Sequence, residues 1–578
     1  MWARLVAFEY LMYLGFVIIA VRAFVIQTFP PSQKSLTQIA TKQYHKPVEL
    51  SDYRGTILDR RGEPLAISVK SPSIAVNPRL FNPSAKDTRR ISSILGLSSK
   101  RIKEISRKTN YFSWLKRKIG QAEAEKILNL KLPGLYKITE PSRFYPSSSY
   151  SSHIVGKVNA DNKGIFGLER MLDSSLRGEA GKINAVRDGR GQLIFQNSDN
   201  VAPEMPGHNV VLTVDQVIQQ ITSNALKDGV KEAGAKGGFA IVGNPHTGEI
   251  LSIASYPDYN PNNTATLKLK NTRNKAVSDI FEPGSVVKPL VIGKAIEMNK
   301  TKKDSVHNCE KSGVYRFGKN KIRDDHPKET LTTEGVIVHS SNICTFKIAQ
   351  MIGKEALYDL YKELGFSDKP KRLELPGQSS GWLTSPDSWR DIRFANISFG
   401  QGHSVTGIDL LRAYNTIANG GKIAEPYLVD RVVDSSGKVI EKTINKLEKT
   451  IFSSSTSAQL KTMLHEVTEA GTARLAQSQL YTTAGKTGTS EKYDPVVKGY
   501  SPTKRIASFA GFAPATDPKL TIIVVIDEPS KKPYYGGKWA APIFEKIATG
   551  SLMYLNVPSD KKEKAPKIVK KPGDKPKG

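Results

Sequence analysis

At 578 residues the chain has room for two or three domains, because single cores rarely grow far beyond about 250 to 300 residues. Hydrophobic residues at 39% and charged ones at 24% exclude both a disordered chain and a polytopic membrane protein. The formal charge of +30 raises nucleic acid as a partner, but the lysines are scattered, with no basic stripe interleaved with aromatics and no zinc-spaced Cys/His cluster. Nucleic-acid binding is set aside and no metal is expected; an anionic membrane or wall polymer, or solubility alone, accounts for the charge.

Leu5 to Ile26 reads LVAFEYLMYLGFVIIAVRAFVI, the length a helix needs to cross a bilayer core. No small-x-small site follows it, since Ala23 is preceded by Arg22 and Val21, so an uncleaved anchor over 5–27 is expected in place of a signal peptide. Arg4 ahead of the span keeps residues 1–4 in the cytoplasm and sends everything after Phe29 across the membrane. Two charges lie inside the apolar stretch. Arg22 is close enough to an end to snorkel, whereas Glu9 either snorkels or meets a partner helix.

Residues 30 to 50, polar with Pro30 and Pro31 paired, read as a stalk. RGTILDRRGEPLAIS (54–68) reads as a hairpin turning at Asp59 to Gly62. Up to about 205, helical patches such as AEAEKILNL (122–130) mix with short strand-like pieces and no site-like cluster, so 28–206 is a stalk plus a non-catalytic α+β pedestal. A second domain spans 207–556. It opens with the strand VVLTV, the amphipathic helix Asp215 to Leu226, and two strands around the turn His246-Thr247-Gly248. The Lys/Pro/Gly tail, 557–578, cannot build a core.

Three short motifs occur in order in the second domain: Ser285-Val286-Val287-Lys288, Ser340-Ser341-Asn342 and Lys486-Thr487-Gly488. Each alone is cheap in a chain this long; order and context give them weight. Glu282-Pro283-Gly284 precedes Ser285 and an apolar helix continues through Leu290 to Ile296, so Ser285 falls at a helix start. Residues i and i+3 share a helix face, which places the Lys288 amine beside the Ser285 hydroxyl, and first-turn amides can serve an oxyanion. Pro289 forbids an α-helix beginning earlier than about Ser285. To take the serine proton Lys288 must be neutral, through a desolvated pocket or a second cation such as Lys486. Ser340 is a candidate proton shuttle to a leaving amine and Asn342 a side-chain amide holding substrate peptide, although serine and asparagine here are also ordinary caps of the helix Ile343 to Met351. In Ala484 to Ser490, alternating small residues suit a strand along which a substrate backbone lies. Gly488 makes room, Lys486, Thr487 and Thr489 bind a C-terminal carboxylate, and the Thr489 and Ser285 amides form an oxyanion hole.

Cys309 and Cys344 allow at most one internal disulfide. Cys344 lies in the apolar helical run Ile343 to Ile348, where a small buried thiol is the usual explanation and a Cys309–Cys344 bridge the other.

With these residues in view the chain resembles the class B penicillin-binding proteins of the cell-division, FtsI type. VRAFVIQ, RGTILDRRGEPLA, RFYPSSSYSSHIVGKVN, GIFGLER, FEPGSVVKPLV, HSSNICTFKIA, SFGQGHSVTGIDLLRAYNTIANGG, AGKTGTSE and YYGGKWAAPIFEKI carry the resemblance nearly end to end. It implies an α+β protein whose transpeptidase domain has a penicillin-binding/serine β-lactamase-like fold, an antiparallel sheet packed between helices with an all-helical part beside it. It implies D,D-transpeptidation without a cofactor: a Ser285 acyl-enzyme formed from D-Ala-D-Ala stem peptides of peptidoglycan, with β-lactams as covalent inhibitors. Also implied are a single-pass location in the cytoplasmic (inner) membrane with an extracytoplasmic catalytic domain, and an SEDS-family, FtsW-type glycosyltransferase and divisome membrane proteins as partners. Val286 departs from the usual small residue after the nucleophile. The rival readings on the same fold are an elongation-type transpeptidase, a D,D-carboxypeptidase or β-lactamase, and a β-lactam sensor.

Overall fold

The computed structural model describes residues 2–28, 45–49, 53–178, 182–187, 193–194 and 206–561, apart from 264, 266, 370–372, 374, 446–448 and 495–497. Most of the expected stalk and the tail beyond 561 lie outside the described residues. The apolar N-terminal run forms one continuous helix, α1 (Trp2–Thr28). Its segment Leu5–Thr28 has a mean hydropathy of 1.9 and no protein cover, and is long and apolar enough to cross a membrane.

The chain divides into two compact units. The first comprises Met1–Tyr53, Val69–Ser142 and Gly178–Pro206; the second comprises Arg54–Ser68, Arg143–Arg177 and Gly207–Gly578. Residues 54–68 and 143–177, counted from the sequence with the pedestal, therefore pack in the same unit as everything from Gly207 on. The core of the first unit joins helices Ala85–Leu95, Ser99–Ser106 and Gln121–Leu128 to an antiparallel strand pair, through Ile91, Leu95, Ile102, Ile105 and Ile127 against Ile74, Val76 and Leu115. Ser84 and Ser98 cap the first two helices by accepting from Asp87 and Arg101 amides.

In the second unit the expected hairpin is present: Ile57–Leu58 pairs antiparallel with Pro64 and Ala66, and the turn closes through Asp59 carboxylate bonds to the Arg61 and Glu63 amides. Three quoted segments, 54–66, 143–159 and 164–170, meet in one buried cluster. Glu169 receives Arg54 on one carboxylate oxygen at 2.8 Å and Arg143 on the other at 2.6 Å, with both Arg54 and Glu169 side chains at 0% exposure. Arg54 reaches on to Asp173 at 2.6 Å.

The centre of this unit is a five-stranded antiparallel sheet of β1 (Gly237–Gly243), β2 (Ile250–Tyr256), β3 (Ala484–Asp494), β4 (Gly499–Ala513) and β5 (Leu520–Asp527), in the order β2-β1-β5-β4-β3. The central strands are apolar on both faces because helices cover both. Registers separate the faces: Ala240, Val524 and Phe509 share one, Phe239, Ile241 and Ile523 the other. Against the first lie α2 (Gln216–Glu232) and the C-terminal helix Ala541–Tyr554, whose Phe544 ring packs 4.5 Å from Phe509. On the second face the helix Gly407–Ala418, buried at all twelve positions, seats Gly407 on Phe239 and Ile241. The neighbouring part of the unit, expected to be all-helical, is mainly helical but also carries two small ribbons, Val306–Asn308 with Thr330–Thr332 and Val314–Phe317 with Asn320–Arg323.

Removing Glu169 strands two buried guanidinium groups. Glu169→Ala is expected to destabilise the full-length protein by about 3 to 5 kcal/mol, read as a lowered unfolding midpoint in denaturant; a loss under about 1 kcal/mol contradicts the cluster's structural role.

Candidate active site

Ser285 does not stand in the first turn of an α-helix. Gly284–Val287 form a 3-10 turn and the α-helix proper, α3 (Lys288–Glu297), begins at Lys288. Pro289 accounts for the difference: it has no N–H to give the Ser285 carbonyl, which accepts from the Lys288 amide in the tighter i to i+3 pattern. Gly284 takes the left-handed conformation, φ 61°, and a Cβ there would lie 3.0 Å from the Thr489 carbonyl oxygen. The turn is held from behind by the Tyr414 hydroxyl, which donates to the Val286 carbonyl at 2.8 Å. Glu282, just upstream, accepts from the Gly402 amide and the Tyr500 hydroxyl, and burial raises its pKa.

The second motif lies between two helices, α4 (Thr333–His339) and α5 (Asn342–Ile352). Ser340 closes α4 in the left-handed region, φ 61° and ψ 38°, a strained position for serine. Its three residues divide the work. Ser341 is the helix cap, accepting from the Cys344 amide, while Ser340 and Asn342 turn to a lysine. The Lys288 amine donates to the Ser340 carbonyl at 2.6 Å, to Ser340 Oγ at 3.2 Å and to Asn342 Oδ1 at 2.7 Å. Ser285 Oγ has no hydrogen-bond partner among the described residues, and the Lys288 amine expected beside it is turned to Ser340 and Asn342. Asn342 Nδ2 donates to the Arg323 carbonyl at 2.9 Å, which leaves both ends of the amide engaged by the protein.

The third motif lies on β3, the edge of the sheet. Lys486 reaches Ser340 Oγ from the opposite side, at 3.1 Å. Two amines therefore donate to one hydroxyl, filling its lone pairs and leaving its own proton to be donated. Thr487 is hydrogen-bonded through its hydroxyl to Thr472 at 2.8 Å, and Thr489 Oγ1 accepts from the Gly536 amide. Gly488, expected to leave room for a substrate backbone, leaves room for the protein: a Cβ there would lie 2.3 Å from Ser508 Oγ, 2.8 Å from the Pro283 carbonyl and 3.0 Å from Val286. Its absent side chain lets the nucleophile turn lie on the strand.

Ser285, Ser340, Asn342, Thr487 and Thr489 line one cleft of about 710 Å³. Lys288 and Lys486 lie beneath it, both at 0% exposure. Burial lowers the pKa of Lys288 to about 7, against the opposing pull of Asp324 and Asp325. Lys486 is held well below the usual lysine range, first by burial and then by repulsion from Lys288. The expected neutralisation of Lys288 thus comes from burial, and repulsion between the cations lowers Lys486.

Asp324 was not singled out from the sequence. It receives Ser341 Oγ at 2.6 Å and the Asn342 and Ile343 amides at 2.5 and 3.1 Å, so it anchors the start of α5. Its only signal was the charged run Arg323-Asp324-Asp325-His326 after a short hairpin. The reading of Cys344 as a free buried thiol is overturned. Cys309 and Cys344 are bridged, with Cα atoms 5.1 Å apart, because the ribbon Val306–Asn308 with Thr330–Thr332 carries Cys309 onto α5.

The family description "Penicillin binding protein transpeptidase domain" matches residues 238–549, and "Penicillin-binding Protein dimerisation domain" matches residues 50–212. "Probable peptidoglycan D,D-transpeptidase PenA" of Neisseria meningitidis is 34% identical over 511 residues, covering 87% of this chain and 85% of that protein. "Peptidoglycan D,D-transpeptidase FtsI" of Buchnera aphidicola is 33% identical over 565 residues, covering 96% of each. Among solved structures, penicillin binding protein 3 from Mycobacterium tuberculosis, complexed with aztreonam, superposes with a TM-score of 0.69 at 26% identity, over 89% of this chain and 98% of that one. With a dimerisation domain ahead of a transpeptidase domain and an N-terminal apolar helix, the chain belongs to the class B penicillin-binding proteins of the FtsI type.

Proposed function

We propose that Ser285 is the acylated nucleophile of this peptidoglycan D,D-transpeptidase, acting in septal wall synthesis. The observation that carries the reading is the convergence of two buried lysine amines on Ser340 Oγ, beneath a cleft that Ser285 lines. In its neutral form Lys288 keeps two of its three hydrogen bonds, and the lone pair so freed takes the proton as Ser285 Oγ bonds to the penultimate D-alanyl carbonyl carbon. The Ser285 and Thr489 amides receive the oxyanion. As the peptide C–N bond breaks, Ser340 gives its proton to the departing D-alanine amine and is reprotonated by the lysine beneath. Lys486, Thr487 and Thr489 hold the terminal carboxylate. Reversal with the amine of a neighbouring stem frees Ser285 and leaves a cross-link. Asn342 holds Lys288 in this scheme. With it go domain limits, along the sequence, of 28–206 for the stalk and pedestal and 207–556 for the transpeptidase, with 54–68 and 143–177 of the first packing in the compact unit of the second.

The protein is anchored in the membrane by α1, and we place residues 1–4 in the cytoplasm and the catalytic domain outside it. A Cys309–Cys344 bridge suits an oxidising compartment. Glu9, exposed on α1, is the point at which an FtsW-type glycosyltransferase would pair: a lone charge costs about 2.5 to 3.5 kcal/mol at the centre of a span, and the off-centre place of Glu9 reduces that cost without removing it.

Four measurements test these assignments. A labelled penicillin is expected to modify wild-type protein at Ser285 and to leave Ser285→Ala unmodified; a stable adduct on that variant assigns the nucleophile elsewhere. Because the base form of Lys288 fills as pH rises through about 7, acylation is expected to climb through that midpoint and then level. Lys288→Met is expected to acylate about 10²- to 10⁴-fold more slowly. A flat profile from about pH 6 to about pH 9 contradicts the base assignment. Glu9→Leu is expected to insert normally and recover less glycosyltransferase on co-purification; unchanged recovery leaves Glu9 as a snorkelling residue.

A further inference from the structure

Beyond the motif residues the cleft wall holds, among the described residues, one ion pair. Glu491 and Arg505 both line the cleft, are directly cross-paired on β3 and β4, and meet at 2.8 Å. Strand alternation puts Glu491 on the same face of β3 as Thr487 and Thr489, two residues or ~7 Å beyond Thr489. Ser490 between them is buried at 2% exposure, whereas the Glu491 side chain remains 43% exposed. Neither partner is saturated. The Arg505 guanidinium gives Nη1 to the Ser501 and Lys504 carbonyls and Nη2 to Glu491 Oε1, which leaves its Nε–H and Glu491 Oε2 without protein partners among the described residues.

The direction of the bound stem follows from the carboxylate site. If the terminal carboxylate lies at Lys486, Thr487 and Thr489, an extended stem pairs antiparallel with the edge strand, and its upstream residues run toward Glu491. The residue preceding the acylated D-alanine is the stem's third, and its long side chain is the group that comes to the ion pair. A carboxylate beside a guanidinium matches a side chain ending in both an ammonium and a carboxylate, the amino-acid head of diaminopimelate; lysine offers the ammonium alone. We propose that Glu491 and Arg505 form the subsite for the third residue of the donor stem and select a diamino-dicarboxylic acid by its zwitterionic side-chain end, Glu491 taking the ammonium and Arg505 the carboxylate. This rests on the transpeptidase reading above.

The test uses full-length protein and three donor pentapeptides ending in D-Ala-D-Ala, identical except at the third residue: diaminopimelate, lysine, and an analogue bearing the distal carboxylate without its amine. D-alanine release is expected to favour diaminopimelate over each of the others by about fivefold in kcat/KM, the scale of a half-exposed ion pair. Glu491→Gln is expected to erase the advantage over the carboxylate analogue and keep that over lysine; Arg505→Gln is expected to do the reverse. Damage to the sheet lowers all three donors together and leaves the ratios standing. Equal use of the three donors by wild type, or variants that retain its ratios, overturns the proposal. Failure of penicillin to acylate wild type at Ser285 overturns the parent reading and this one with it, and is distinguished by needing no peptide donor.

Discussion

Everything in the catalytic half of this protein depends on keeping two lysine amines away from water. At 0% exposure Lys288 and Lys486 lose the solvation that normally holds lysine protonated, and among the described residues their hydrogen-bond partners are neutral oxygens: serine and threonine hydroxyls, an amide oxygen and backbone carbonyls. The carboxylates of Asp324 and Asp325 act on Lys288 without a hydrogen bond to it, close enough to moderate its shift and too remote to restore a salt bridge. Had Asp324 met the amine directly, Lys288 would be a charged structural group. Instead that carboxylate is spent on the amides of Asn342 and Ile343, and the amine is left poised near neutrality.

Three distant pieces of chain must be brought together for this, and each is fixed by a different device. Pro289 and Gly284 force a tight turn that lies on β3 over the missing side chain of Gly488. Ser340 is placed by a left-handed residue between two helices, and Asp324 with Ser341 sets where the second helix starts. Lys486 comes from an edge strand whose inner neighbour, β4, is buried from Ile506 to Ala513, the stretch that pairs with the Lys486 motif. Strain at Ser340 is tolerated because both helices are buried against the same core. The site is therefore a property of the junction between sheet and helices, and no single element contains it.

Much of this was legible from short-range patterns. The apolar span, the hairpin at 54–68, the strand pair around His246-Thr247-Gly248 and the approximate start of the Ser285 helix follow from spacing and turn residues that act locally. Lys288, Ser340 and Lys486 were identified because their motifs carry chemistry in the residue types themselves. What stayed hidden depends on contacts between residues far apart in sequence. The Cys309–Cys344 pairing, Asp324 as an anchor and the reassignment of Gly488 from substrate to protein all arise where one loop crosses another. The same holds for residues 54–68 and 143–177: Arg54 and Arg143 join them to each other through Glu169, and only contacts such as the Ile57–Val210 ladder and the Tyr259 hydroxyl on the Ser152 carbonyl show that they pack with the later part of the chain.

The cross-link between Cys309 and Cys344 also bears on the order in which the molecule matures. It joins residues 35 apart in sequence, and the loop it closes contains the ribbon Val314–Phe317 with Asn320–Arg323, Asp324 and the whole of the Ser340 motif. On the topology proposed above, the chain behind the anchor is exported in N-to-C order, so Cys309 emerges ahead of its partner and must wait for that stretch to follow, while Lys486 is still further behind. Oxidation can therefore set the helical wall of the cleft before the sheet's edge strand has arrived, so that β3 docks onto a wall already in place.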